Sequence, residues 1–217
     1  MFHLERVSVS YNEMPVLKEI TLSISAGEKI AIIGPSGAGK TTLLRKLYEI
    51  EPDQASFIHQ RDALIPQLSA FHNVYAGRLD HHSVAYNLLN LILPREREVA
   101  EVRKLMSALG MEEKIFEKVA SLSGGQRQRV SVARAIYKGS SVLLADEPVS
   151  SIDPHQAEEV LKLLQAEAKT VVLSLHTVQL ALSAFERIIG LRDGRILFDL
   201  SGEMVDPGRL KELYAPC

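Results

Sequence analysis

Cysteine is almost absent: the single one, Cys217, is the last residue, and there is no tryptophan. One thiol can build neither a disulfide framework nor a cysteine-based metal site. No run approaches the roughly 18 consecutive apolar residues of a membrane span. The first residues, MFHLERVSVSY, lack the charged start and apolar core of a secretory signal. Any membrane role is therefore expected to come through a partner. Charge of one sign is also missing, since 25 Lys and Arg meet 27 Asp and Glu for a net −2. That balance offers no basic field for nucleic acid, and no such partner is expected. Repeats, low-complexity tracts and Gly/Ser linkers do not occur. What remains is an ordinary globular balance, 46% hydrophobic and 24% charged. It reads as one unit over residues 1–217, with a helical lobe at roughly 70–135 inserted.

The apolar residues carry two periods. Val7, Val9 and Tyr11 alternate with polar residues as in a half-buried strand, and Leu22 and Ile24 do the same. Short apolar runs at Ile30–Ile33, Val142–Ala145, Val171–Leu175 and Ile188–Leu191 read as buried parallel strands. Between them, Val99, Val102, Leu105, Met106 and Leu109 share a helical face that Gly110 ends. Val160, Leu161 and Leu164 form another such stripe, bounded upstream by Pro154. Strands alternating with helices predict an α/β fold with a parallel sheet and a ligand at the strand carboxyl ends.

Gly34-Pro35-Ser36-Gly37-Ala38-Gly39-Lys40-Thr41 follows one of these strands and precedes a helix-like run from Thr42. This is the nucleotide-binding phosphate loop in its required context. Its glycines let successive backbone N–H groups converge on phosphate oxygens, and the following helix adds a favourable dipole. Lys40 brings a positive charge to the β- and γ-phosphates, and the Thr41 hydroxyl is suited to magnesium. The strand Val142–Ala145 ends in Asp146 and Glu147. Asp146 is placed to hold magnesium through its water shell, and Glu147 to act as general base on the attacking water. In Leu122-Ser123-Gly124-Gly125-Gln126-Arg127-Gln128-Arg129, Ser123 reads as the cap of a helix whose N-terminus makes a second anion-binding end.

LSGGQRQR resembles the signature sequence of ATP-binding-cassette proteins, and its position between the phosphate loop and ADEP matches that family. The resemblance covers essentially the whole chain. It implies a P-loop core with a parallel sheet, an antiparallel β lobe and an inserted helical signature subdomain. It also implies ATP and Mg²⁺ as ligands, and a head-to-tail homodimer in which Ser123, Gly124, Gly125 and Gln126 clasp the nucleotide of the other subunit. Ser123 and Gly124 show no obvious use within their own subunit. On the same resemblance Tyr11 stacks on adenine, and Gln60 touches magnesium and water and senses a membrane partner, with Gln67 as a weaker rival. Ser151-Ile152-Asp153 resembles the turn that communicates across the dimer, although the family more often has leucine in place of Ile152. His176 resembles the histidine that contacts the γ-phosphate. Thr42 completes the loop. The stretch from Leu47 to Gln60 is shorter than usual, so the antiparallel lobe is expected to be trimmed.

AGRLDHHS (Ala76–Ser83), DEPVSSIDP (Asp146–Pro154) and SLHTVQLAL resemble the ATPase subunits of phosphonate importers. A relative importing phosphite, phosphate esters or something unrelated would look similar. His81 and His82 are read as solvated loop residues. Integral membrane permease subunits and, indirectly, a solute-binding protein are the implied partners, at the cytoplasmic face of the inner membrane. The groove around Gln60, Leu64 and Phe71 is expected to receive a short permease helix. A non-transport ATPase that uses ATP dimerisation as a switch is the second reading. A catalytically dead scaffold is the third, which the intact Lys40, Asp146, Glu147 and His176 oppose.

Overall fold

In the computed structural model, which describes residues 1–59 and 64–215, the apolar runs become the middle of a six-stranded sheet. β1 (Phe2–Tyr11) and β2 (Met14–Ile24) pair with each other, antiparallel, outside that sheet. β3 (Lys29–Ile33), β4 (Ala55–Ile58), β5 (Val142–Asp146), β6 (Thr170–Ser174), β7 (Arg187–Arg192) and β8 (Arg195–Ser201) lie in the order β4-β5-β6-β3-β7-β8. All neighbours run parallel except β8, which turns back on β7. Asp193 and Gly194, both at positive φ, make that turn, as a tight Asp-Gly hairpin requires.

Both faces of the sheet are covered, which is why its central strands read as continuous apolar runs. Side chains alternate between the faces along each strand. Ile30 and Ile32 of β3 pack in one core with Leu43, Leu44 and Leu47 of α1 (Lys40–Ile50) and Leu17, Ile20 and Leu22 of β2. Ala31 and Ile33 belong to the other core, which holds two further helices. These are α5 (Gly124–Lys138), through Val130 and Ala133, and α6 (Pro154–Glu167), through Val160, Leu161 and Leu164.

Between β4 and α5 lie α2 (Ala70–Tyr75), α3 (Val84–Ile92) and α4 (Glu96–Ala108). α4 buries Val102 and Met106 completely, and Gly110 at φ +63° breaks the run as its position suggests. α7 (Val178–Ala184) and α8 (Pro207–Leu213) complete the fold. Six elements go beyond the periodicity: the strands β4 and β8 and the helices α2, α3, α7 and α8. α3 escapes because its outward residues are themselves apolar, Val84 being 75% exposed and Ile92 82%, so no polar face marks it. Only residues 51–54 separate α1 from β4, and β1 with β2 forms the whole two-stranded antiparallel sheet.

One expectation is corrected. His81 is exposed, but His82 is not a solvated loop residue, because its ring stacks on Tyr86 at 4.5 Å between centroids. Beneath it the buried Glu98 accepts a hydrogen bond from the Tyr86 hydroxyl at 2.6 Å.

Candidate functional site

The carboxyl ends of β3, β5 and β6 meet at one edge of the sheet. From β3 the chain enters the phosphate loop at Gly34. A Cβ there would sit 2.0 Å from the Leu191 carbonyl oxygen, so no other residue fits without moving β7. Pro35 accepts a hydrogen bond from the Ala38 N–H at 3.2 Å, which leaves Ser36 and Gly37 exposed at the tip. Gly39, at φ +102°, caps α1 without any side-chain hydrogen bond. The orphan N–H groups of the first turn, which carries Lys40, Thr41 and Thr42, are therefore left for a ligand. Lys40 is 6% exposed, and its ammonium donates to the carbonyls of Gly34 (2.7 Å) and Pro35 (3.0 Å). Burial lowers its pKa below the ordinary lysine value, against the opposing pull of Glu147 and Asp146.

Across from the loop, the Thr41 hydroxyl donates to Asp146 Oδ2 at 2.6 Å. The other carboxylate oxygen accepts from the Ser174 hydroxyl at 2.7 Å, and the same Ser174 oxygen accepts from the Glu147 N–H at 3.0 Å. Asp146 is 1% exposed, and the loop and Ser174 answer its charge there. A hydroxyl beside a carboxylate is a pair of hard oxygen donors that suits a small divalent cation completed by water and phosphate. Among the described residues no group of three His, Cys, Asp or Glu side chains could enclose a metal ion, so these two oxygens would act with non-protein ligands. Glu147 adopts φ +53°, and its Oε1 lies 2.5 Å from Nε2 of the exposed His176. Sequence reasoning missed Ser174. The only signal was a hydroxyl in the middle of the apolar run VVLSL.

The signature turn forms the N-terminus of α5. The Ser123 hydroxyl accepts from the Gln126 N–H (3.3 Å), and the Gln126 side-chain oxygen accepts from the Ser123 N–H (2.9 Å), a reciprocal capping box. Ser123 thus caps α5 as its place in the sequence suggests, which is a use within its own subunit. Gly124 stands exposed, with nothing nearer than 3.9 Å to a Cβ, whereas a Cβ on Gly125 would lie 2.6 Å from the Ser151 carbonyl. Asp153 caps α6 by accepting from the Gln156 N–H at 3.1 Å. Tyr11, 51% exposed, ends β1. Gln60 lies outside the described residues, and Gln67 is exposed.

The expected docking residues need a second correction. Leu64 is buried and Phe71 wholly so, packed inside the helical lobe, so neither presents a surface to a partner. An open groove of about 420 Å³ lies elsewhere, lined by Tyr48, Phe57, His59, Ala76, Leu79 and Arg134 among others. Burial and the neighbouring Arg45 hold the His59 pKa below the ordinary histidine value.

This arrangement agrees with the comparisons. The family model described as ABC transporter matches residues 17–150. A "Phosphonates import ATP-binding protein PhnC 1" of Pseudomonas savastanoi pv. phaseolicola is 41% identical over 228 residues, covering 92% of this chain and 85% of that protein. The "Phosphonates import ATP-binding protein PhnC" of Pseudomonas putida is 38% identical over 242 residues, covering 98% and 89%. Both alignments are longer than the 217-residue chain, so each relative carries residues that this one lacks. Among solved structures, the dimeric bacterial ABC transporter cassette MJ0796 superposes with a TM-score of 0.79 at 29% identity, covering 93% of this chain and 98% of that one. The same cassette in a dimeric post-hydrolysis state bound to ADP and Pi gives 0.73 at 28% identity, covering 92% and 97%. The chain belongs to the ABC transporter family and is one of its ATP-hydrolysing, ATP-binding cassette subunits.

Proposed function

We propose that this subunit drives an importer of phosphonates or related organophosphorus anions, as a head-to-tail homodimer beneath integral membrane permease subunits. It works at the cytoplasmic face of the inner membrane, and a solute-binding protein acts on it only indirectly. Residues 1–217 are treated as one ATPase domain with the helical lobe, about 70–135, inserted. The single observation that carries the ATPase part is the meeting of Lys40, the Thr41–Asp146 pair and the Glu147–His176 pair at one sheet edge. The import part is supported by the 41% identity to a phosphonates import ATP-binding protein.

In this reading the backbone from Gly34 to Thr42 cradles the triphosphate at the uncapped end of α1. The Lys40 ammonium, with two donors on the loop carbonyls, has a third for a phosphate oxygen. Thr41 and Asp146, with Gln60, would hold magnesium, which when bound would neutralise charge on the phosphate oxygens. Glu147 takes the proton of the attacking water, and His176 fixes its carboxylate and reaches towards the γ-phosphate. Tyr11 stacks on adenine. Ser123, Gly124, Gly125 and Gln126 face the nucleotide of the second subunit, and the turn to Asp153 passes signals between the two. The permease helix occupies the groove lined by Tyr48, Phe57 and His59.

Two measurements test this. Glu147→Gln should slow phosphate release about 10²–10⁴-fold while ATP binding survives. Turnover at the parental rate would remove Glu147 from this role. Deleting the gene should abolish growth on a phosphonate as sole phosphorus source, together with uptake of the labelled solute. Undiminished uptake in a strain without another such importer would end the phosphonate assignment and leave the ATPase standing.

A further inference from the structure

Glu147 holds a left-handed backbone (φ +53°), which an L side chain keeps only where its surroundings enforce it. Its N–H is held by Ser174. Its carbonyl accepts from the Ser150 N–H at 3.3 Å and, more closely, from Nε2 of Gln128 at 2.6 Å. Gln128 is on the second turn of α5 and is 6% exposed. Its Nε2 also donates to the Ser150 hydroxyl (3.3 Å), and its Oε1 accepts from the Ser151 N–H at 2.7 Å. One side-chain amide therefore closes both ends of the turn 147–151, with every polar atom engaged there. The first turn of α5 presses on the same segment, since the Ser151 carbonyl fills the space of a Gly125 Cβ. α5 and the turn that carries Glu147 are thus joined by packing at Gly125 and by hydrogen bonds at Gln128.

We propose that Gln128 is a positioning residue: it fixes the Glu147 backbone, and through it the carboxylate, relative to the signature helix. The inference rests on the reading of Glu147 as general base and goes beyond it. Gln128 shares α5 with the exposed Gly124, so a displacement of that helix end by a second subunit reaches Glu147 through the Gly125 contact and this buried amide. A catalytic group misplaced by a fraction of an ångström loses much of its effect on rate.

The test compares turnover with binding in the full-length protein. Gln128→Leu keeps a similar volume and removes both hydrogen-bonding functions, whereas Gln128→Glu keeps the acceptor for Ser151 and loses the donor to the Glu147 carbonyl. Each should lower kcat roughly 10–100-fold, with the KM for ATP within about threefold of parental. A double-mutant cycle separates positioning from general damage. In the Glu147→Gln background, adding either substitution should change the residual rate by less than about twofold, because the group being positioned is gone. A loss as large in that background as in the parent, or a raised KM with kcat intact, would overturn the proposal. So would a kcat within about twofold of parental in both variants. Should the Leu variant fail to fold, Gln128→Glu carries the same comparison. If Glu147→Gln alone leaves turnover unchanged, the base assignment falls, and this inference with it.

Discussion

α1 and α5 both begin at glycine-rich turns, and their first turns are built in opposite ways. α1 starts behind Gly39 with no side-chain cap, while α5 starts behind Ser123 with both halves of a capping box in place. An uncapped N-terminus leaves backbone donors and a positive dipole end that only an anion or water can answer. A boxed N-terminus already answers two of its own. The first is a seat shaped for its ligand. The second is an edge complete in itself, which presents an exposed glycine to whatever approaches. A cap detected from sequence therefore does not by itself mark a ligand site, and its absence beside a glycine-rich loop is the more informative observation.

The contrast can be broken in four places. The largest effect is expected at Lys40→Ala, which removes the only buried ammonium in the loop. ATP affinity, measured by equilibrium titration, should fall roughly 10–100-fold, and turnover about 10²–10³-fold. Gly124→Trp comes next and should leave the fold alone, because the nearest atom outside its own turn, the Ser151 Cβ, lies 3.9 Å from the new Cβ, an ordinary contact. In a Glu147→Gln background it should abolish ATP-induced dimers seen by light scattering, with ATP affinity of the monomer within about twofold of parental. Persistence of the dimer would show that the α5 edge is not the contact.

Gly39→Ala is third. The left-handed backbone and the approach of a Cβ to Leu17 at 2.8 Å should cost about 1–3 kcal/mol of stability by denaturant unfolding. Smallest is Ser123→Ala, which removes one half of the capping box and should cost about 1 kcal/mol by the same measurement, with ATP binding unaffected. If the two orders of effect were reversed, with Ser123→Ala destroying ATP binding in the monomer, the distinction between the two helix ends would fail.

Much of the fold was legible because its central strands are short apolar runs between helical stripes. β3, β5, β6 and β7 fall where those runs predict, and α4 and α6 where Gly110 and Pro154 bound them. β4 was not legible: it is four residues long, lies at the edge of the sheet, and shows neither alternation nor a long apolar run. α3 was hidden by its exposed leucines, whose burial pattern no periodicity announces. Of the site, the loop and the acidic pair were readable, since phosphate and magnesium chemistry require particular residues at fixed local spacing. Ser174 and Gln128 were not, because each acts on a residue far away in sequence.

The sequence by itself determined the phosphate loop, the acids at the end of β5, the helix cap at Ser123, and the strands that feed them. All of these arise from contacts within a few residues or from a local period. Only the tertiary structure decided which strand tips meet, which carbonyl Gln128 would hold, and that Phe71 would be buried in the lobe while His59 borders an open groove. Those outcomes depend on the order of strands in the sheet and on how the lobe packs against it. Neither leaves a periodic trace in the chain, because the residues that meet are set by pairing across the fold and not by their spacing along it.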